Sequence, residues 1–348
     1  MLTTSIIFQV LTTADLDLLI ADTEAEMARI IAAVEDERTV ELYGWIRYHL
    51  GLDHAGTRGK RLRPLLGLLA YQSIAGEHQR ALPGAAAVEM GHNFSLVHDD
   101  IQDSGTERRH RPALWTLTGV PQAINTGDAL FTLSRLALHR LTALGFPPQK
   151  VLDLMRLYDE TCLALCEGQF LDIRASEGRS WMSVDYYFDM IGRKTAALIA
   201  GSVQAGAMLA TDDLVVVAAF RNFGWALGLA FQLNDDLLGI WGDEASTGKE
   251  PTDIATRKQT LPLIHALEVA CGSDGDRLGA IIHYDRIPSP ADVAEARRIL
   301  ERCGSRDFTR ARARQHREEA LAQLEASGII DGEAMERLHL IVASAIAA

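Results

Sequence analysis

Residues 91–112 read GHNFSLVHDDIQDSGTERRHRP. Three aspartates, Asp99, Asp100 and Asp103, fall within five positions, and Arg108 and Arg109 follow closely. Upstream, VEMGHNFSLVH carries apolar side chains at helical spacing, so the acids belong near the end of an apolar helix and not to a solvated acidic tail. Residues four apart on a helix share a face, which points Asp99 and Asp103 the same way, roughly 6 Å apart along the axis. Two like charges there destabilise the helix, and shielding by neighbouring helices raises the cost. A hard divalent cation removes that penalty, because Mg²⁺ binds through one or two carboxylates together with phosphate oxygens and water. Taken alone, the run also fits a solvated helix end.

Working outward, apolar residues recur with a period near 3.6 over 16–34, 62–76, 82–103, 121–143, 148–174, 184–209 and 212–240. The same period continues over roughly 258–271, 291–303, 306–326 and 331–346, and no convincing alternating strand interrupts it. Turn chemistry breaks the pattern at GEH (76–78), GFPP (145–148), CGSDGD (271–276) and IPSP (287–290). Asp15 and Ser289 (ahead of Pro290) read as helix starts. There is no low-complexity linker and no internal repeat. The pattern predicts one all-α domain over 1–348 with ten or more helices, too many for a simple four-helix bundle.

A chain of 348 residues with 48% hydrophobic content can bury a full core. Its net charge of −13 argues against nucleic-acid binding, which needs a basic face. Cys162, Cys166, Cys271 and Cys303 lack zinc-finger or disulfide-framework spacing and read as reduced thiols. The N-terminal MLTTSIIFQVLTTADLDLL lacks a basic n-region and a small-residue cleavage site. No uninterrupted apolar run reaches 18 residues, so no membrane span is expected and the cytoplasm is the expected location.

A second acidic patch resembles the first in layout. FQLNDDLLGIWGDEASTGK (231–249) places Asp235 and Asp236 at the end of another apolar helix, with Asp243 and then Lys249 beyond. Two apolar helices that each end in paired aspartates and then cations suggest one cavity. Carboxylates would hold Mg²⁺, the ions would hold a diphosphate, and the cations would bind its outer oxygens. The segment GTRGKRLRPLL adds Lys60, Arg61 and Arg63 ahead of a helix, a candidate second diphosphate site beside the acids.

These residues carry a resemblance to the trans-isoprenyl diphosphate synthases, the polyprenyl synthetase family. GKRLRP (59–64), HNFSLVHDDIQD (92–103), RRHRP (108–112), GDAL (127–130), EGQFLD (167–172), IGRKTAAL (191–198), FQLNDDLLGIWGD (231–243) and GK (248–249) match its motifs in order. The resemblance implies an all-α fold around a deep central cavity, usually in a homodimer, and chain elongation with isopentenyl diphosphate. It implies that Asp99, Asp103 and Asp235 ligate Mg²⁺, three ions per site, with Asp100 and Asp236 as supporting acids. Lys60, Arg63, His92 and Arg109 would bind isopentenyl diphosphate. Arg108, Lys194, Lys249 and Lys258 would face the allylic diphosphate, with Thr195 and Gln232 lining its pocket. An allylic C–O bond would ionise as Mg²⁺ and fixed cations stabilise the departing diphosphate. The double bond of isopentenyl diphosphate would capture the cation, and a proton would leave to the released diphosphate.

The chain departs from the family pattern at Gly239, where the second motif usually ends in aspartate; a water would complete that position. Asp235, Gly239 and Asp243 also match the spacing of a terpene-cyclase metal motif. A cyclase on the same scaffold, or a non-catalytic subunit of a heteromeric synthase, therefore stands as an alternative. For product length, Ser95 and Gly91 lie roughly 6 and 12 Å below Asp99 on the cavity face. Both are small, and Phe94 is the nearest large side chain that could form a floor. In the family, an aromatic five positions before the first aspartate, without an insertion in DDIQD, goes with twenty-carbon products. Geranylgeranyl diphosphate is thus expected first and farnesyl diphosphate second.

Overall fold

The computed structural model describes residues 14–53, 58–177, 181–242, 251–283, 287–329 and 332–344. Its organising element is the helix that carries the first acidic run, α4 (Leu82–Gln102), which starts with Pro83 in its first turn. Every residue from Leu82 to Gly91 is buried, as expected of a helix that is apolar on all sides. Ahead of it come α1 (Ala14–Ala32), α2 (Val40–Leu50) and α3 (Leu62–Ala75). After it come α5 (Leu114–Thr118), α6 (Val120–Ala143), α7 (Pro148–Glu177) and α8 (Val184–Ile191). A π-helical turn, Gly192–Ala196, leads into α9 (Ala197–Ala210) and α10 (Leu214–Trp241). The chain continues through α11 (Leu261–Val269), α12 (Gly272–His283), α13 (Pro290–Arg302), α14 (Ser305–Ala326) and α15 (Glu333–Ser344).

Packing places α4 against α1, α3, α6 and α9, while α7 stands off from it. That gap holds the main cavity. One continuous core joins α1–α4, α6, α7, α9, α10, α14 and α15, with Met27, Leu66, Met90, Leu130, Val203 and Phe220 fully enclosed. A separate apolar cluster, including Ile240, Leu263, Leu278 and Ile299, holds α11–α13 onto the end of α10. The all-α expectation holds, and Ser289 caps α13 with a full capping box to Asp292.

Three local differences have physical causes. The segment 40–50 reads weakly as helix because VELYGWIRYHL is rich in β-branched and aromatic residues, yet α2 forms by burying Ile46 and Leu50. CGSDGD looks like a break, but Leu278, Ile281 and Ile282 share a buried face and pull the segment into α12. The run 184–209, expected as one helix, contains the π turn. By length and composition alone α10 could cross a membrane; here it packs against α9 and α14.

Candidate active site

Both acidic helices end at one cavity of about 640 Å³. Asp99, Ser95, Phe94 and His92 of α4 line one side, Leu165, Gln169 and Ile173 of α7 the facing side, and Gln232 and Asp235 of α10 another. Arg63, Arg108, Lys194, Thr195 and Lys258 complete the lining. Of the remaining expected residues, Lys60 feels the charge of Asp235, and Arg109, Asp100, Asp103 and Asp236 are not among the side chains lining the cavity. Lys249 lies outside the described residues, as does Asp243.

The first acidic run closes α4, with Asp103 as its C-cap. Asp100 turns away from the cavity, buried, and accepts from Arg108 Nε at 2.9 and 2.8 Å and from its terminal nitrogen at 2.7 Å. Asp99 and Asp103 accept no side-chain hydrogen bond and form no ion pair within 4 Å among the described residues. Burial pushes the Asp99 carboxyl up to about 6; Asp103 and Asp172 add to this, while Lys194 and Arg108 oppose it. Burial likewise raises Asp103. The two carboxylates thus lack a cation of their own, as the like-charge argument requires.

The arginines are carried by a two-strand hairpin, Glu107–Arg108 against Arg111–Pro112. Arg109 and His110 occupy its turn with φ of 55° and 60°, the positive values a type I′ turn demands. Helix α2 anchors this hairpin. The Arg111 guanidinium lies 3.7 Å from the centre of the Tyr48 ring, and the Tyr48 hydroxyl donates to Pro112 O at 2.9 Å. Arg109 donates to His49 O and to Asn93 Oδ1, each at 3.2 Å. Burial lowers its pKa to about 10.

Arg61 and Arg63 open α3 but have different tasks. Arg61, fully buried, donates to Glu89 at 2.7 Å and Glu24 at 3.1 Å and ties α3 to α4 and α1. Arg63 lines the cavity with one terminal nitrogen 3.1 Å from His92 Nε2, and its buried Nε has no hydrogen-bond partner among the described residues. Buried Oε1 of Gln169 is equally unpartnered. Such atoms call for a polar ligand. Burial and the neighbouring Arg63, Arg109 and Arg108 hold His92 well below its usual pKa, as a neutral imidazole at neutral pH.

On the opposite side, the π turn presents Lys194 and Thr195. Lys194 Nζ donates to Asp172, and Thr195 donates to Gln232 Oε1 at 2.9 Å. The turn is close to α7 because of Gly168: a Cβ there would fall 2.3 Å from the Lys194 nitrogen. Asp236 is buried, accepting from the Tyr187 hydroxyl, from Gln232 at 3.1 Å and from the Leu261 N–H at 2.9 Å. Burial raises its pKa to about 6 despite the opposing Lys258 charge and the hydrogen bonds from Tyr187 and the Leu261 N–H. Lys258 sits 3.9 Å from Asp235; burial works against its charge, but Asp236, Asp235 and Asp253 together raise its pKa.

Gly239 has a neighbour where the sequence suggested a water. A Cβ on Gly239 would lie 1.9 Å from Asp253 Oδ2, and the Asp253 N–H donates to Gly239 O at 3.2 Å. The space beside the last position of the motif therefore holds a carboxylate from further along the chain. Sequence reasoning also passed over Asp172 and Gln169, although both fall inside the quoted EGQFLD motif. Tyr187 and Tyr48 carried no sequence signal, because each matters only through a partner distant in the chain.

The fold of this site-bearing bundle is that of the trans-prenyltransferases. It superposes on the crystal structure of geranylgeranyl pyrophosphate synthetase from Pyrococcus horikoshii with a TM-score of 0.85 at 30% identity, over 99% of this chain and 98% of that one. The polyprenyl synthetase family model matches residues 48–300, and the chain belongs to that family. It is similar to the (2E,6E)-farnesyl diphosphate synthase of Mycobacterium tuberculosis, 37% identical over 301 residues (84% of this chain, 82% of the relative). It is equally similar to the geranylgeranyl diphosphate synthase of that species, 38% identical over 284 residues (80% and 79%). Near-equal identity to two synthases named for different products leaves the chain a trans-prenyl diphosphate synthase of unassigned length.

Proposed function

We propose that the chain condenses isopentenyl diphosphate with an allylic diphosphate to a linear trans-polyprenyl diphosphate, with twenty carbons the favoured length and fifteen second. The observation that carries this reading is the cavity itself: acids and cations crowd its rim, while Phe94, Leu96, Leu165, Phe170 and Ile173 line it with apolar surface. A diphosphate at the rim and a hydrocarbon tail inside match that division. The fit to Mg²⁺ is chemical. Asp99, Asp103 and Asp235 supply hard oxygen donors, and no group of three acidic, histidine or cysteine side chains among the described residues forms a metal site unaided. The remaining ligands would come from diphosphate and water. When bound, three Mg²⁺ ions would neutralise the departing diphosphate.

In this reading Arg108, Lys194 and Lys258, already positioned by Asp100, Asp172 and Asp235, hold the allylic diphosphate with little reorganisation. Thr195 and Gln232 orient it. Lys60, Arg63, His92 and Arg109 hold isopentenyl diphosphate, and the apolar walls exclude water from the allylic cation. The presence of this second cation set supports elongation over cyclisation. The chain would act as a homodimer: Leu152 and Leu163, eleven residues apart and so on one face of α7, are apolar side chains left 59% and 60% exposed. Light scattering of the purified protein checks that stoichiometry. The deciding experiment incubates the protein with isopentenyl diphosphate, an allylic primer and Mg²⁺, then analyses the phosphatase-released alcohols by gas chromatography. Consumption of both substrates to a longer linear alcohol is expected. A cyclic hydrocarbon formed while isopentenyl diphosphate remains untouched would reverse the assignment.

A further inference from the structure

Gly91 lies two turns below Asp99 and, by its size, should leave open space. A Cβ at this position would come 1.9 Å from Tyr158 Oη, 2.9 Å from its Cζ and 3.2 Å from a ring carbon. The phenol of α7 crosses the gap between α7 and α4 and fills the volume that a side chain at 91 would take. It is held there from a third helix: its hydroxyl donates to Ser134 Oγ of α6 at 2.6 Å. Only 5% of Tyr158 is exposed, so the ring is fixed by packing as well as by that bond.

Levels along the two helices give the phenol its position. Ser95 of α4 and Leu165 of α7 line the main cavity. Further down the same helices, Gly84 and Val88 of α4 and Leu154 and Thr161 of α7 line a second, apolar cleft of about 10 Å³, with Tyr158 among its walls. Tyr158 is a wall of this lower cleft and not of the chamber, one level beneath Ser95 and Leu165. Phe94 lines the chamber and packs on Phe131 of α6, ring centres 4.9 Å apart.

We propose that Tyr158, seated in the space left by Gly91, limits the length of the prenyl chain. The growing tail passes Ser95, meets the phenol two turns below Asp99, and stops. Removing the ring adds the phenol's own volume to the space beneath Ser95 and opens it onto the small, mainly apolar cleft below. This rests on the elongation reading, and the experiment separates the two. Wild type, Tyr158→Ala, Tyr158→Phe and Phe94→Ala are incubated with isopentenyl diphosphate, an allylic primer and Mg²⁺, and the dephosphorylated alcohols are sized by chromatography. The main product of Tyr158→Ala should be longer by at least one five-carbon unit. Tyr158→Phe, which keeps the ring, should retain the wild-type length, and Phe94→Ala should shift the distribution less than Tyr158→Ala. A folded, active Tyr158→Ala with wild-type products overturns the proposal. If Tyr158→Ala does not fold, by circular dichroism, Tyr158→Val asks the same question, since it keeps apolar packing at the helix surface but withdraws the ring from the space beside Gly91. Longer products support the proposal and unchanged ones overturn it. A wild-type protein that makes no elongated product refutes the elongation reading instead.

Discussion

Asp103 and Asp99 differ from the other acids of the site in having no partner among the described residues. Asp103 caps α4 at its exposed end, so Asp103→Ala should leave the fold intact. Turnover should fall by about a hundredfold or more, the effect of removing preorganised charge at a leaving group. Near-normal turnover with Mg²⁺ would contradict the metal role. Asp99 gives a second test through pH. Its folded pKa, about 6, lies above the ordinary carboxylate value, so the folded state binds the proton more tightly than the unfolded chain. Stability from this group is present at low pH and is lost as pH rises through about 6. Metal-free Asp99→Asn should therefore melt higher than wild type at pH 8, by roughly 1–2 kcal/mol after allowance for partial exposure. The difference should vanish near pH 4. Thermal melts in chelator across that range measure it.

At the scale of elements, α2 holds in place a hairpin it does not belong to. Its Tyr48 stacks under Arg111 and bonds Pro112, and the His49 carbonyl receives Arg109. Tyr48→Ala should free the hairpin at a cost of about 1 kcal/mol, combining a cation–π contact and one hydrogen bond. The Michaelis constant for isopentenyl diphosphate should then rise about fivefold with a smaller change in kcat, the signature of lost ground-state binding. Steady-state kinetics on the variant decide this; an unchanged constant would detach α2 from substrate binding.

For the whole molecule, cavity charge connects ligand and stability. The acids of α4 and α10 face a common space, yet no described cluster forms a closed metal site. Mg²⁺ alone should therefore shift the melting temperature little. Mg²⁺ with inorganic diphosphate should shift it more than either component, with about 2.7 kcal/mol expected at a hundredfold excess over Kd. Differential scanning fluorimetry with the four combinations tests this, and a full shift from Mg²⁺ alone would show a site that needs no diphosphate.

Helical periodicity and motif spacing are properties of neighbouring residues, and they sufficed for the all-α class, the two acidic helix ends and the family resemblance. Periodicity also located α4, whose apolar run is strong enough to specify its own burial. It missed α2 and α12, since their propensities are weak and their stability comes from packing. Spacing put Gly91 and Ser95 on the cavity face, as a helix must, but could not say what lies opposite. That was decided in three dimensions: Tyr158 occupies the space beside Gly91, Asp253 the space beside Gly239, and Asp100 turns from the cavity to hold Arg108. A sequence determines which face a residue takes through local geometry. Whether the space before that face is open or filled depends on side chains from distant segments, which only the packed tertiary structure brings there.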